Sequence, residues 1–400
     1  MKEVKVVIGA NFGDEGKGLM TDFFCSRFDP SKPVLNVRFN GGSQAGHTVV
    51  TPKGESHIFG HLGAGSFLPN VATYLSKDFI VNPISFYKQY VKFVQDSDGL
   101  YPMIYAHPRC MITMAQDMMI NQIIETRRGK DRHGSCGMGI YETILRDKID
   151  KAVRIKDFKK IEARGQIDLN YYDSERIETI FNVGLTDEEK ALLNNQNIRA
   201  HYNQDVQFFM DHVTIADESI FKRFDNVVFE GAQGLMLDQN NMDYFPHLTP
   251  SNTGFENVLG YLDSDMNVEV CYISRPYLTR HGAGRLDNEC SREIIGAKPD
   301  LTNHLNEFQG IFRYAPLDFD EMYKRAKNDF DKIYDVGCSA KMSICITHAD
   351  KFMDHLIKDP ASTYIPDIMR PIFYDPYERT TYISRGRTRN DVFGLYRKAM

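Results

Sequence analysis

The hydrophobic and polar positions of this chain alternate between two kinds of pattern. Val4 to Ile8, Val34 to Phe39, Val227 to Glu230, Val268 to Ile273 and Ser343 to Thr347 are short β-branched or apolar runs that end on polar residues. Such runs predict strands buried on both faces. Between them lie helical patterns, such as Pro83 to Val94 and Met111 to Arg127, the second rich in Met, Ile and Gln. Strands alternating with helices predict an α/β fold with a large, mostly parallel central sheet flanked by helices. Ligands in such a fold bind at the carboxyl ends of the strands. The stretch from Arg146 to Asn195 carries charges of both signs and predicts a helical excursion, reaching to near residue 225, with a solvated face. No repeat, low-complexity tract or linker marks a boundary, so residues 1–400 are expected to form one catalytic domain.

Composition narrows the class. With 42% hydrophobic and 26% charged residues the chain is that of an ordinary globular protein. A net charge of −6 argues against a general nucleic-acid partner. The first strand follows the N-terminus without a leader, and no apolar run approaches roughly 18 residues. The expectation is a cytoplasmic protein without a membrane partner. Seven cysteines without a C-x-x-C pair predict reduced thiols.

The first strand runs into Gly9-Ala10-Asn11-Phe12-Gly13-Asp14-Glu15-Gly16-Lys17-Gly18, a string with four glycines. A glycine-rich strand-to-helix turn offers backbone N–H groups and a positive helix end to an anion, usually phosphate. Lys17 adds a movable cation, and Asp14 can serve as a base or a magnesium ligand. The spacing is not that of the ordinary phosphate loop: Gly9 and Gly16 lie seven positions apart, and Gly18 follows the lysine where Ser or Thr would bind metal.

This string and Asn40-Gly41-Gly42-Ser43-Gln44-Ala45-Gly46-His47-Thr48 together resemble the N-terminal signature of the adenylosuccinate synthetase family. The similarity continues in order through Phe229–Gly234, Thr249–Thr253, Thr279–Gly284, Thr347–Asp350 and Ser384–Gly386. Members join L-aspartate to C6 of a 6-oxopurine nucleotide with hydrolysis of a nucleoside triphosphate. The resemblance implies that Asp14 removes the N1 proton, that His47 bridges the phosphoryl group and the C6 oxygen as donor or acid, and that Lys17 neutralises triphosphate charge. Gln233 would lie against the purine and take part in catalysis. Gly13, Glu15, Gly16, Gly18, Gly46 and Thr48 would line the triphosphate site, with Mg2+ held partly by Asp14 and the Gly46 carbonyl.

For the acceptor, the resemblance implies Asp14, Gln44, Gln233 and Thr249, the last at the 5′-phosphate. Gly134–Gly139 stands at the family's Thr-Thr-Gly-Arg-Gly phosphate loop, where Ser135 and Cys136 would contact the acceptor's phosphate, although Cys136 and Met138 depart from the pattern. A catalytic thiol at Cys136 has no step to serve. Arg146 matches an arginine that the family lends to a neighbouring subunit, which implies a homodimer. Asp350 would clamp guanine, with Ser384 and Gly386 closing over base or ribose. Because His348 replaces the family's lysine, GTP is the expected co-substrate with ATP as an alternative. Arg313 is the main expected aspartate ligand, with Thr302 and Asn303; Arg280 is equally readable as structural, and His57 and His61 read as structural.

IMP is the leading acceptor. The alternative is dGMP, used by a phage branch with aminoadenine genomes, and three departures favour it: Gln44 for asparagine, Leu19 for a second lysine, and Gly310 where a ribose-contacting arginine is expected. Aspartate at position 14, where that branch has serine, counts against it. A regulator that binds guanine nucleotide without ligating is the rival from another class. Retention of Asp14, Lys17, His47 and Gln233 opposes it, since a switch needs no C6 chemistry.

Overall fold

A computed structural model describes residues 2–129, 135–150, 152–162, 172–297, 312–352 and 380–395. In chain order the strands are β1 (Lys2–Gly9), β2 (Val34–Arg38), β3 (His47–Val50), β4 (Ser56–Phe59), β5 (Val71–Leu75), β6 (Ile80–Val81), β7 (Met103–Ala106) and β8 (Met111–Ile112). They continue as β9 (Thr214–Ile215), β10 (Asn226–Gly234), β11 (Met266–Ser274), β12 (Tyr277–His281), β13 (Phe312–Pro316), β14 (Ser339–Ile346), β15 (Thr380–Ser384) and β16 (Val392–Leu395). Ten of them form one sheet in the order β16-β15-β14-β11-β1-β10-β2-β5-β7-β9. Every neighbouring pair in it is parallel except β15 with β16. The five strands read from the sequence are the contiguous centre of this sheet, from β14 to β2.

Both faces of the centre are dry. Along β1, Val4, Val6 and Ile8 enter the core that contains Phe255, Met322 and Phe330. Val7 points the other way, onto Leu19, Met20, Phe23 and Phe24 of helix α1 (Lys17–Arg27). This period-two split explains why the run stays apolar on both faces from Val6 to Ile8. Truncating one such side chain to Ala would cost about 2–5 kcal/mol.

Helix α2 (Pro83–Asp96) falls where its pattern predicted, with Pro83 at the first turn and the Asn82 side chain accepting from Ser85 N at 3.1 Å. The expected helix from Met111 begins later. Met111 and Ile112 pair with Ile80 and Val81 as short strands, and α3 (Ala115–Arg128) starts only where Asp117 accepts from the Met114 N–H at 2.8 Å. The charged excursion is helical: α4 (Ile140–Asp150), α5 (Ile155–Glu162), α6 (Ser174–Phe181), α7 (Asp187–Leu193) and α8 (Gln196–His212). It ends before residue 225, because Thr214 and Ile215 rejoin the sheet beside Tyr105 and Ala106. Helices α9 (Phe319–Phe330) and α10 (Ala349–Phe352) complete the set. No helix among the described residues is long and apolar enough to cross a membrane.

Candidate active site

The sequence-predicted residues gather at the carboxyl ends of the central strands. The glycine string follows β1, the Asn40–Thr48 segment follows β2, Gln233 lies at the end of β10, and Thr347–Asp350 follows β14. The loops after β1 and β10 interlock backbone to backbone. A Cβ on Gly234 would lie 2.3 Å from Asn11 O, and one on Gly13 would lie 3.0 Å from Gln233 Cα. Gln233 itself takes φ +64°, a left-handed conformation in which non-glycine residues cluster at functional sites.

Gly16 caps α1 at φ +99°, leaving the first helical N–H groups to the loop. The Glu15 carboxylate folds back inside this turn, accepting from Asn11 N at 3.2 Å and Gly13 N at 2.7 Å. Its second oxygen stands 3.7 Å from the Lys17 ammonium, which also donates to Gly13 O. Burial raises the Glu15 pKa against the pull of Lys17, and burial lowers that of Lys17 against Glu15 and Asp14. A buried ammonium of this kind is complete only when further negative charge arrives. Asp14 differs: its side chain is 34% exposed, and the His281 Nε2 faces it at 3.6 Å. It is thus the carboxylate of the string that a substrate can reach.

Helix α1 packs directly on His47, since a Cβ on Gly18 would lie 3.0 Å from His47 Cβ. The imidazole is buried, with Nδ1 at 2.5 Å from Glu230 Oε1. Arg38 Nη1 donates to the same oxygen at 3.0 Å, and Ala64 N donates to Glu230 Oε2 at 2.9 Å. Burial and then the Arg38 charge lower the His47 pKa to about 4, so its ring is neutral. Burial opposes ionisation of Glu230, but Arg38 and His47 outweigh it and hold the carboxyl down at about 2.

Beside this cluster, the amide atoms of Gln44 and the Ser43 hydroxyl are shielded from solvent without a hydrogen-bond partner. Such atoms cost free energy unless a ligand completes them. Thr249 is buried, with its hydroxyl 3.5 Å from Ser251 Oγ. Ser135 donates to Asn121 Oδ1 at 2.9 Å. The Cys136 thiol is pushed up by burial to about 11, which removes the thiolate a nucleophile would need. On the far side, Thr347 Oγ1 donates to Glu15 O, placing the Asp350 segment beside the start of α1. Ser384 ends β15, next in the sheet to β14, and donates to Gly386 O at 2.8 Å.

Two of the expected arginines are engaged within the chain. Arg146 is buried, with Nε and Nη2 donating to the Asp117 carboxylate at 2.9 and 2.7 Å and Nη2 to Ile112 O at 3.0 Å. Arg313 is also engaged at home. Its Nε and Nη2 pair with Glu289, and Nη1 donates to Gly282 O and Gly284 O at 2.9 and 2.7 Å. Thr302, Asn303 and Gly310 lie outside the described residues, as does Gly134. Arg280 is structural in its contacts, donating to Arg285 O and His247 O at 2.6 and 2.9 Å. His61 is likewise structural, accepting from Asn82 N at 2.9 Å, and His57 pairs with Asp96 at 2.7 Å.

Sequence reasoning missed Arg38 and Glu230 as a pair, and Arg275 and Arg325 as loop supports. Arg275 Nε donates to Asp14 O, and Arg325 donates to Ala10 O and Asn11 Oδ1 at 3.1 and 3.0 Å. A charge ending a wholly buried strand, as Arg38 ends Val34–Arg38, was the available signal.

Residues 6–310 match the family model for adenylosuccinate synthetase. The adenylosuccinate synthetase of Mesoplasma florum is 28% identical over 303 residues, covering 74% of this chain and 67% of the relative. That of Dichelobacter nodosus is 29% identical over 306 residues, covering 72% and 65%. The chain thus spans about two thirds of the length of the curated relatives it matches. Among solved structures, fully ligated adenylosuccinate synthetase from Plasmodium falciparum superimposes with a TM-score of 0.63 at 20% identity, covering 87% of this chain and 77% of that one. The cyanophage S-2L succinoaminodeoxyadenylate synthetase (PurZ), bound to dGMP and to dATP as an energy donor, gives 0.65 at 15% identity, covering 98% and 95%. The match of a glycine turn, a buried histidine cluster and 305 consecutive positions to one model leads to a single assignment: the chain belongs to the adenylosuccinate synthetase family.

Proposed function

We propose that the chain ligates L-aspartate to C6 of a 6-oxopurine nucleoside monophosphate, hydrolysing a nucleoside triphosphate by way of a 6-phosphoryl intermediate. The observation that carries this reading is the meeting of a reachable Asp14 with the buried Lys17 and His47 at the ends of β1 and β2. The purine C6 oxygen is a poor leaving group and the lactam a poor nucleophile. Asp14 takes the N1 proton, the C6 oxygen attacks the γ-phosphorus, and the nucleoside diphosphate leaves. The amine of aspartate then displaces inorganic phosphate from C6. Lys17 and the N-terminal N–H groups of α1 neutralise the transferring group, and Gln233 presents a donor and an acceptor to the base edge. Ser135 and Thr249 supply hydroxyls for the 5′-phosphate.

The half-reachable Asp14 carboxylate and the carbonyl of the exposed Gly46 are hard oxygen donors. They fit Mg2+, which takes few protein ligands along with phosphate oxygens and water and would there offset phosphate charge. Asp350 suits GTP, and His348 in place of lysine leaves ATP open. IMP is the leading acceptor. A second reading, dGMP, is favoured by one observation: the phage enzyme aligns over nearly its full length, whereas about a third of each curated synthetase lies outside the aligned part. Unpartnered Gln44 amide atoms are able to serve either base.

The test is aspartate-dependent phosphate release with IMP, dIMP, GMP and dGMP against GTP and ATP. Comparing kcat/KM within each ribose–deoxyribose pair isolates the sugar from the base. A ribose preference above about 100-fold in both pairs, roughly 2.7 kcal/mol, would leave IMP alone. Absence of aspartate-dependent release with every pair would overturn the ligase reading and leave the regulator.

A further inference from the structure

Glu230 lies midway along β10, directly opposite Arg38 on β2 and Val7 on β1. Both its oxygens are used: Oε1 faces His47 Nδ1 and Arg38 Nη1, and Oε2 accepts from the Ala64 N–H. The side chains of Arg38 and Glu230 are wholly buried, and that of His47 is 6% exposed. We propose that Glu230 is a positioning residue which fixes His47 as the Nδ1–H tautomer, with Arg38 holding Glu230 in turn, so that Nε2 is the nitrogen that faces the transferring phosphoryl group and donates to it after taking up a proton, the resulting imidazolium being held by Glu230. The part about the phosphoryl group rests on the ligase reading above.

The geometry decides between two tautomers. An ionised carboxylate only accepts, so a close Nδ1–Oε1 contact at 2.5 Å requires the hydrogen on Nδ1. The rival arrangement, Arg38 donating to a bare Nδ1, has a contact of 3.3 Å and would set two lone pairs against each other at the shorter one. Arg38 therefore serves Glu230, not the ring. The Ala64 N–H stops the carboxylate from rotating, so the ring is oriented through a chain anchored on three backbone segments. The same logic governs other catalytic histidines, where the hydrogen bond at one nitrogen sets the state of the other.

Histidine-labelled 15N spectra of the unmodified full chain, with His47 assigned by loss of its signals in His47→Gln, read the tautomer directly. Nδ1–H is expected, and an Nε2–H ring would overturn the proposal whether or not the chain ligates. In steady-state assays Glu230→Gln should lower kcat about 100-fold or more, with each substrate KM within about threefold. In a His47→Ala background the same change should cost nothing further. Equal losses of kcat in both backgrounds would show that Glu230 acts independently of His47 and overturn the proposal. A parent chain without aspartate-dependent turnover would instead overturn the ligase reading, leaving the spectra to judge Glu230.

Discussion

Thr347 and Glu15 stand 332 positions apart in sequence, yet the threonine hydroxyl donates to the glutamate carbonyl at 2.5 Å. The threonine methyl also fills the space beside Gly16, where a Cβ would approach Thr347 Cγ2 at 3.1 Å. The loop after β14 is therefore keyed to the loop after β1. Thr347→Val keeps the shape and removes the hydroxyl. It should raise the triphosphate KM about fivefold to tenfold while leaving the acceptor KM unchanged, for a lost bond of about 1 kcal/mol. An unaltered triphosphate KM would mean that the two loops are held together by packing alone.

Asp14→Asn retains size and loses basicity. Turnover should disappear while acceptor binding, followed by calorimetry, stays close to that of the parent. Activity within about tenfold of the parent, roughly 1.4 kcal/mol of barrier, would remove Asp14 from the role of base.

Arg146→Ala should behave as a folding lesion. It strands the Asp117 carboxylate in a buried setting, which costs about 3–5 kcal/mol. Urea unfolding measures it directly. An arginine serving only a neighbouring subunit would instead leave stability untouched and be rescued by mixing with an Asp14→Ala chain.

Glu142 supplies a pH dependence. Burial, reinforced by Asp117 and Glu125 and opposed by the Asn121 amide, lifts its pKa from 4.5 to about 7. The folded chain keeps a proton that the unfolded chain releases near pH 4.5, so this group's contribution to stability falls as pH rises from there to about 7. Glu142→Gln removes that slope and can still accept from Asn121. The variant should match the parent at pH 5 and exceed it by about 1–3 kcal/mol at pH 8. A parent–variant difference independent of pH would place the Glu142 proton elsewhere.

The central strands were legible because burial on both faces leaves consecutive apolar residues, as in Val6-Val7-Ile8. The edge of the sheet was not: Thr214 and Ile215 form a two-residue strand that no periodicity can mark. Met111 and Ile112 were swallowed by the helical pattern that follows, since local spacing carries no word of their distant partners Ile80 and Val81. At the site, Asp14, Lys17, His47 and Gln233 were readable from glycine-rich strings. The engagement of Arg313 by Glu289 and of Arg146 by Asp117 was not, because a guanidinium looks the same in sequence whether it waits for a ligand or is spent on a neighbour.

On the ligase reading, the interlocked backbones of Asn11–Gly13 and Gln233–Gly234 make nucleotide recognition a collective property. Their atoms come from crossovers more than two hundred positions apart, and no fragment containing one crossover holds a fraction of the pocket. Ligand affinity then tracks the integrity of the whole sheet: a lesion that frays β14 or β10 will first be noticed as poor binding at the loop after β1, and saturating nucleotide will protect distant amides from exchange as strongly as near ones.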